Sequence, residues 1–118
     1  MRFSLLLFGL HFMLKNAAKK NKAFKHYIRK ANARILIKTA DGKRARLFVF
    51  DRGTVSSRSG DTSDFDVALV WRDAATGFSV MLDKSKDASF KAAAENKLKV
   101  VGMSVYAQWF EEAMKLVQ

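Results

Sequence analysis

The sequence predicts an α+β domain with a five-stranded, mostly antiparallel sheet, helices packed on one face of it, and an amphipathic helix in front. Three observations predict this class. Five short runs of alternating or continuous apolar residues are typical of strands. Turn residues separate the first of these runs at hairpin spacing. Apolar residues recur at three- and four-residue intervals at both ends of the chain, which indicates helices there.

Length and composition favour one domain over residues 1–118, with an N-terminal helix over 1–30 and a body over 31–118. The 118 residues reach the usual size of a domain that buries its own core, and no proline-, serine- or glycine-rich linker interrupts them. The absence of cysteine excludes disulfides and zinc–thiolate sites. It also favours a reducing compartment, so we expect a cytoplasmic protein, peripheral on the membrane in one interpretation.

The first helix is predicted to run to about Arg29 and to bury one apolar stripe. That stripe comprises Phe3, Leu7, Leu10, Leu14, Ala17, Phe24 and Ile28. Leu5, Phe8 and Phe12 lie away from it. Three interpretations of residues 1–14 stay open: a core helix whose second apolar side meets another part of the domain or another subunit, an amphipathic helix resting on a membrane, or a targeting segment.

Three strands are predicted to form a meander after this helix. The first is Ala33–Thr39, and Asp41-Gly42 provides a two-residue turn. The second, Arg46–Phe50, is a continuous apolar run suited to burial on both faces. Asp51-Arg52-Gly53 turns the chain again. The polar third strand, Thr54–Arg58, is expected near an edge of the sheet.

Two further strands and three helices are predicted in the second half. Val67–Trp71 buries Val67, Leu69 and Trp71 on one face, and Asp73 then caps a helix over Ala74–Leu82. A short helix over Ala88–Ala94 leads to the strand Leu98–Val101, which ends at Gly102, a residue able to take positive φ. The last helix, Val105–Val117, has one broad apolar face made by Tyr106, Trp109, Phe110, Ala113, Met114 and Val117.

The net charge of +11 is concentrated in the first two fifths of the chain. Residues 1–46 contain 13 lysines and arginines against Asp41 alone, whereas the remainder is nearly balanced. A membrane-facing patch, a nucleic-acid surface and a solvated helix face all explain this pattern. Each basic residue near an anionic leaflet contributes about 1 kcal/mol. The candidate docking residues are Lys15, Lys19, Lys20, Lys22, Lys25, Arg29 and Lys30.

The residue patterns of catalysis and of metal binding are missing from the sequence. Neither His11 nor His26 has a partner at the spacing of metal ligands, and we expect the first in the core or an interface and the second on the surface. Asp61, Asp64 and Asp66 lack the glycine and glutamate of a calcium loop, so a turn and strand start is predicted. The sequence has no nucleophile elbow or phosphate-binding loop. We therefore expect a non-enzymatic protein without cofactor or metal.

The segments "DVALVWRDAATGFSVML" and "FKAAAENKLKVVG", with the apolar helix that follows, resemble the second half of the sterol carrier protein 2 sterol-binding domain. The resemblance extends from about Ala31 to the last residue, and the predicted strand order matches that family. Asn96 stands where the family usually has glycine, and asparagine tolerates the same left-handed conformation. Met103-Ser104 replaces the family's acidic or amide residue before the last helix.

The resemblance implies a hydrophobic cavity between sheet and helices that holds a fatty acyl, sterol-like or isoprenoid ligand. The alternative is that the same side chains fill one another's space. The candidate lining residues are Phe48, Phe50, Leu69, Trp71, Phe78, Met81, Leu82, Phe90, Tyr106, Trp109, Phe110 and Met114.

Three functional hypotheses follow from these patterns. The first is a lipid carrier whose basic first third docks on an anionic membrane. The second is an accessory subunit that presents a lipid precursor to an enzyme complex, as in ubiquinone biosynthesis, with the first helix as the interface to that complex or to a second copy of the chain. The third, nucleic-acid binding, is less favoured because only Phe24 and Tyr27 lie among the basic residues.

Overall fold

The computed structural model describes residues 2–74, 76 and 95–116. Its elements are α1 (Arg2–Lys20), α2 (Lys22–Ile28), β1 (Asn32–Thr39), β2 (Ala45–Asp51), β3 (Thr54–Ser59), β4 (Val67–Trp71), β5 (Leu98–Gly102) and α3 (Ser104–Lys115). Most of the predicted helix over 74–82, the whole of that over 88–94, and Val117 lie outside the described residues. Asp73, the predicted N-cap, accepts a hydrogen bond on Oδ1 from the backbone N–H of Thr76 (2.7 Å), as an N-cap does.

The predicted single N-terminal helix is wrong, because Asn21 divides it into α1 and α2. Asn21 has extended backbone angles, and its Oδ1 accepts from Phe24 N at 3.0 Å, which caps α2. Its Nδ2 donates to the carbonyl of Leu116 at 2.8 Å and so ties the break to α3. The apolar stripe nevertheless continues across the break. Its described members, Leu7, Leu10, Leu14, Ala17, Phe24 and Ile28, are all buried, as predicted.

The five strands form one sheet in the order β3-β2-β1-β4-β5. The β1–β2, β2–β3 and β4–β5 pairs are antiparallel and the β1–β4 pair is parallel, which confirms a mostly antiparallel sheet. The polar strand β3 lies at an edge, as predicted. The helices pack on one face, where their apolar side chains and those of the sheet form a single core cluster.

The turn between β1 and β2 is longer than the predicted two residues. The strands end at Thr39 and begin again at Ala45. Asp41 Oδ1 accepts hydrogen bonds from Thr39 Oγ1 (2.6 Å) and from the backbone N–H of Lys43 (3.0 Å). These bonds, the one from Thr39 first, lower the pKa of the Asp41 carboxyl. The side chain of Asp41 therefore organises a wider loop than spacing alone predicts.

Residues 60–66 cover the opposite face of the sheet. Because β3 and β4 run in the same direction, this segment has to cross the sheet between them. Asp64 pairs with Arg34 (2.9 Å) and Asp61 with Lys38 (3.2 Å). Phe65 packs against a small second cluster whose buried members are Leu36, Leu47 and Ala68. The predicted burial of β2 on both faces is thus confirmed, since Leu47 is buried under this segment and Phe48 under the helices.

Gly102 closes β5 in a place where no other residue fits. Its φ is +101°, as the sequence predicts for this glycine, and a Cβ atom there would lie 2.6 Å from the backbone oxygen of Asp66. The same oxygen accepts from Met103 N at 3.0 Å, just before α3 begins. Asn96 takes a φ of +61°, so the asparagine does adopt the left-handed conformation expected of it.

Candidate functional site

Four of the predicted lining residues lie together on the helix-covered face of the sheet. Phe48 and Phe50 alternate along β2, and Leu69 and Trp71 alternate along β4. The same face continues through β1, because Ile35 pairs with Phe48 of β2 on one side and with Val67 of β4 on the other. All four side chains are buried. The sheet thus supplies one apolar wall from three adjacent strands.

Helix α3 supplies the facing wall. Phe110 is buried, and Tyr106, Trp109 and Met114 are partly buried against the same cluster. The ring centroid of Phe50 lies 4.9 Å from that of Trp109, with the planes at 80°, and 6.1 Å from that of Phe110. These edge-to-face contacts are the favoured geometry for aromatic pairs. Phe50 is therefore one of the residues through which the sheet contacts α3.

Tyr27 of α2 also belongs to this site, although sequence analysis did not place it there. Its ring stacks on Trp109 with centroids 5.5 Å apart, and its Oη donates to the carbonyl of Trp109 at 3.0 Å. Burial, and then the charge of Glu112, raise the pKa of Tyr27. Its three-residue spacing from Phe24, a member of the apolar stripe, was the signal that could have identified it.

Eight of the twelve predicted lining residues therefore lie in one apolar cluster. They are Phe48, Phe50, Leu69, Trp71, Tyr106, Trp109, Phe110 and Met114. The other four, Phe78, Met81, Leu82 and Phe90, lie outside the described residues. Open grooves beside α1 and at the β1–β2 turn are lined by none of the eight. That these side chains line a cavity for a ligand stays a prediction.

A second feature is the outer stripe of α1, formed by Leu5, Phe8, Phe12, Lys15 and Lys19 at three- and four-residue spacing. Leu5, Phe8 and Phe12 are 69 %, 50 % and 56 % exposed. The first half of the stripe is apolar and the second half basic. The seven predicted docking residues are all exposed: Lys15, Lys19, Lys20, Lys22, Lys25, Arg29 and Lys30. No helix among the described residues is long and apolar enough to cross a membrane.

His11 connects α1 to the edge strand β3. Arg46 Nε donates to Ser57 Oγ at 2.8 Å, which leaves the serine hydrogen free for His11 Nδ1. Burial first, and then the charges of Arg46 and Lys15, lower the pKa of His11. His11 is thus partly buried against β3, and not in the core, while His26 is exposed as predicted.

The His11 contact is expected to weaken in acid. The pKa of His11 is lower in the folded than in the unfolded chain, so the folded state favours the neutral imidazole. The contribution of His11 to the free energy of unfolding is therefore complete above about pH 6.5 and declines as the pH falls below that value. The melting temperature of the wild type should therefore decrease more between about pH 7.5 and pH 5.5 than that of His11→Gln. His26→Gln is the matched control, and an unchanged pH dependence in His11→Gln would contradict the assignment.

Comparison with known proteins finds similarity in structure only. No family model and no curated protein sequence matches this chain. Among solved structures, the UbiJ-SCP2 ubiquinone synthesis protein superposes with a TM-score of 0.72 at 16% identity, over 96% of this chain and 91% of that one. A crystal structure of sterol carrier protein 2 superposes with a TM-score of 0.66 at 12% identity, over 91% of this chain and 92% of that one.

Sterol carrier protein 2 from Yarrowia lipolytica, in its apo form, gives a TM-score of 0.63 at 22% identity, over 92% of this chain and 89% of that one. The similarity spans nearly the whole length of all three proteins. The chain therefore has the fold of the sterol carrier protein 2 sterol-binding domain, which confirms the fold that its sequence resembles.

Proposed function

We propose that this protein is a non-enzymatic lipid carrier that holds a fatty acyl, sterol-like or isoprenoid ligand between its sheet and α3. The observation that carries the proposal is the aromatic and aliphatic wall of Phe50, Trp109 and Phe110, in a fold shared with the sterol carriers over nine tenths of the chain. Apolar ligands need a dry and adaptable lining more than specific polar groups.

The polarity of the interior supports a lipid over a polar substrate. Among the described residues, Thr39 is the one polar side chain in the buried set, and every other member is apolar. A metabolite with several charges would lose its water without gaining ionic partners there, which costs several kcal/mol for each charge. A hydrocarbon chain gains about 0.8 kcal/mol for each methylene buried.

The outer stripe of α1 supports docking at a membrane as the second half of the proposal. An interfacial helix combines exposed large apolar side chains with lysines that reach anionic head groups. The rings of Phe8 and Phe12 contact each other edge to face, with centroids 5.0 Å apart. Lys15 and Lys19 follow them on the same side of α1. The apolar half would enter the leaflet while the basic half contacts phosphates.

The carrier proposal is tested first by native mass spectrometry of the purified protein, followed by extraction and identification of any bound lipid. Trp109→Ala should weaken binding of added lipids about tenfold or more, because the indole contacts both Phe50 and Tyr27. Val105→Ala on the same helix is the control, since that side chain is 65 % exposed. Equal affinities in the two variants, or a protein that binds no lipid, would contradict the proposal.

A second candidate function is an accessory subunit that presents a lipid precursor to an enzyme complex. The exposure of Leu5, Phe8 and Phe12 favours it, because large apolar patches on a surface often mark protein contacts. Deleting residues 1–14 is unsuitable as a test, since Leu7, Leu10 and Leu14 are buried. Replacing the three exposed residues with glutamine should remove co-purifying protein while lipid binding and vesicle docking persist. Loss of vesicle docking alone would instead support the membrane role.

A further inference from the structure

The indole of Trp71 carries a buried hydrogen-bond donor with no partner among residues 2–74, 76 and 95–116. Trp71 is the last residue of β4, and its side chain, 3 % exposed, lies on the same face as Leu69. Thr39 of β1 and Leu98 of β5 are its neighbours in the sheet. Its Nε1–H has no acceptor within hydrogen-bond distance in the described part of the chain.

An unpaired donor at such depth calls for a physical explanation. Leaving a buried N–H without an acceptor is unfavourable, because the group loses its hydrogen bonds to water, and native proteins pair the large majority of such groups. The adjacent polar side chain, Thr39, forms its hydrogen bonds with the β1–β2 turn, because its Oγ1 donates to Asp41 Oδ1 at 2.6 Å and accepts from the backbone N–H of Arg44 at 3.4 Å. A tryptophan at this position, where phenylalanine would bury similar area without an unpaired donor, indicates an acceptor that arrives with a ligand.

We infer that the Trp71 Nε1–H is the polar contact of the lipid site and donates a hydrogen bond to an oxygen atom of the bound lipid. The inference rests on the proposed carrier function and adds a direction to it. The oxygen-bearing end of the lipid lies inward, at the end of β4, and the hydrocarbon chain extends along the wall formed by Phe50 and Phe110.

The surroundings restrict the ligand oxygen to an uncharged one. No lysine, arginine or histidine belongs to the buried set of the described residues. A carboxylate at Trp71 would exchange its hydration for one N–H, which leaves most of its desolvation cost uncompensated. A carbonyl or hydroxyl oxygen needs only one donor. The ligand class is therefore a neutral lipid with a ketone, ester, quinone or alcohol oxygen.

The chain contains two tryptophans, so an amide correlation spectrum of ¹⁵N-labelled protein shows two indole signals, which Trp71→Phe and Trp109→Phe assign. The probes are 2-dodecanone, dodecane and dodecanoate, which share a chain length and differ at one end. Saturation with 2-dodecanone should move the Trp71 indole proton downfield, and dodecane should not. Trp71→Phe should reduce the preference for 2-dodecanone over dodecane by about five- to tenfold.

Trp109→Phe is the matched control, because it removes an indole from the same site. It should change the affinities for 2-dodecanone and dodecane by the same factor and leave their ratio intact. A Trp71 signal that does not move, an unchanged ratio in Trp71→Phe, or tighter binding of dodecanoate than of 2-dodecanone would overturn the inference while the carrier function stands. A wild-type protein that binds none of the probes would overturn both.

Discussion

Replacing Phe50 with alanine is expected to lower the free energy of unfolding by about 3–5 kcal/mol. The ring is completely buried, and its centroid lies 4.9 Å from that of Trp109 and 6.1 Å from that of Phe110. Its removal therefore leaves a void between the sheet and α3. The loss of stability has two causes. The folded state no longer gains the free energy of burying an aromatic ring, and the side chains around the void lose their van der Waals contacts with that ring. Urea denaturation followed by circular dichroism measures it.

The control for Phe50→Ala is Phe8→Ala, the same truncation at a ring that is 50 % exposed on the outer stripe of α1. It should cost less than about 1 kcal/mol, because most of the ring is already in water. A cost for Phe50→Ala near that of the control would mean that the contacts of this ring with Trp109 and Phe110 do not stabilise the fold, contrary to this prediction.

Neutralising Lys15, Lys19, Lys20 and Lys22 to glutamine is expected to weaken binding to anionic vesicles by roughly a thousandfold. Each lysine near an anionic surface contributes about 1 kcal/mol, and a factor of ten in affinity corresponds to about 1.4 kcal/mol. All four are exposed, and among the described residues none of them forms an ion pair with an acid. Cosedimentation with phosphatidylcholine vesicles, with and without phosphatidylserine, measures the loss.

A matched variant separates the position of these charges from their number. Arg52, Arg72, Lys97 and Lys115 each pair with an acid elsewhere on the surface, and replacing them with glutamine lowers the net charge by the same amount. This variant should retain vesicle binding. Equal losses in the two variants would show that total charge, and not the position of the lysines at the junction of α1 and α2, attracts the protein to the membrane. Binding that is insensitive to salt would contradict an electrostatic contribution altogether.

Local patterns were sufficient to predict most of the fold. Strand β4 has the predicted bounds, since the two-residue period of Val67, Leu69 and Trp71 marks a face that is buried in the structure. Asn96 and Gly102 adopt the positive φ angles that their residue types allow. The break at Asn21 was not predictable in this way, because the carbonyl that helps to hold it belongs to Leu116, 95 residues further along the chain.

The apolar cluster of the candidate site was predictable as a set of side chains but not as an arrangement. The apolar period of α3 correctly placed Trp109 and Phe110 against the core. The stacking of Tyr27 on Trp109 depends on how α2 crosses α3, and periodicity within one helix contains no information about a crossing. The lack of a partner for the Trp71 N–H among the described residues depends on its surroundings, and the residue type alone does not predict it.

The bonds between α2 and α3 also govern how this chain assembles during synthesis. Tyr27 and Trp109 are separated by 82 residues, and Asn21 and Leu116 by 95, so the N-terminal helices leave the ribosome long before their partners exist. Contacts of such long sequence separation form late and slow folding. In that interval the apolar stripe of α1 and α2 has no α3 to pack against, so a nascent chain of this protein exposes apolar surface that favours aggregation until α3 emerges.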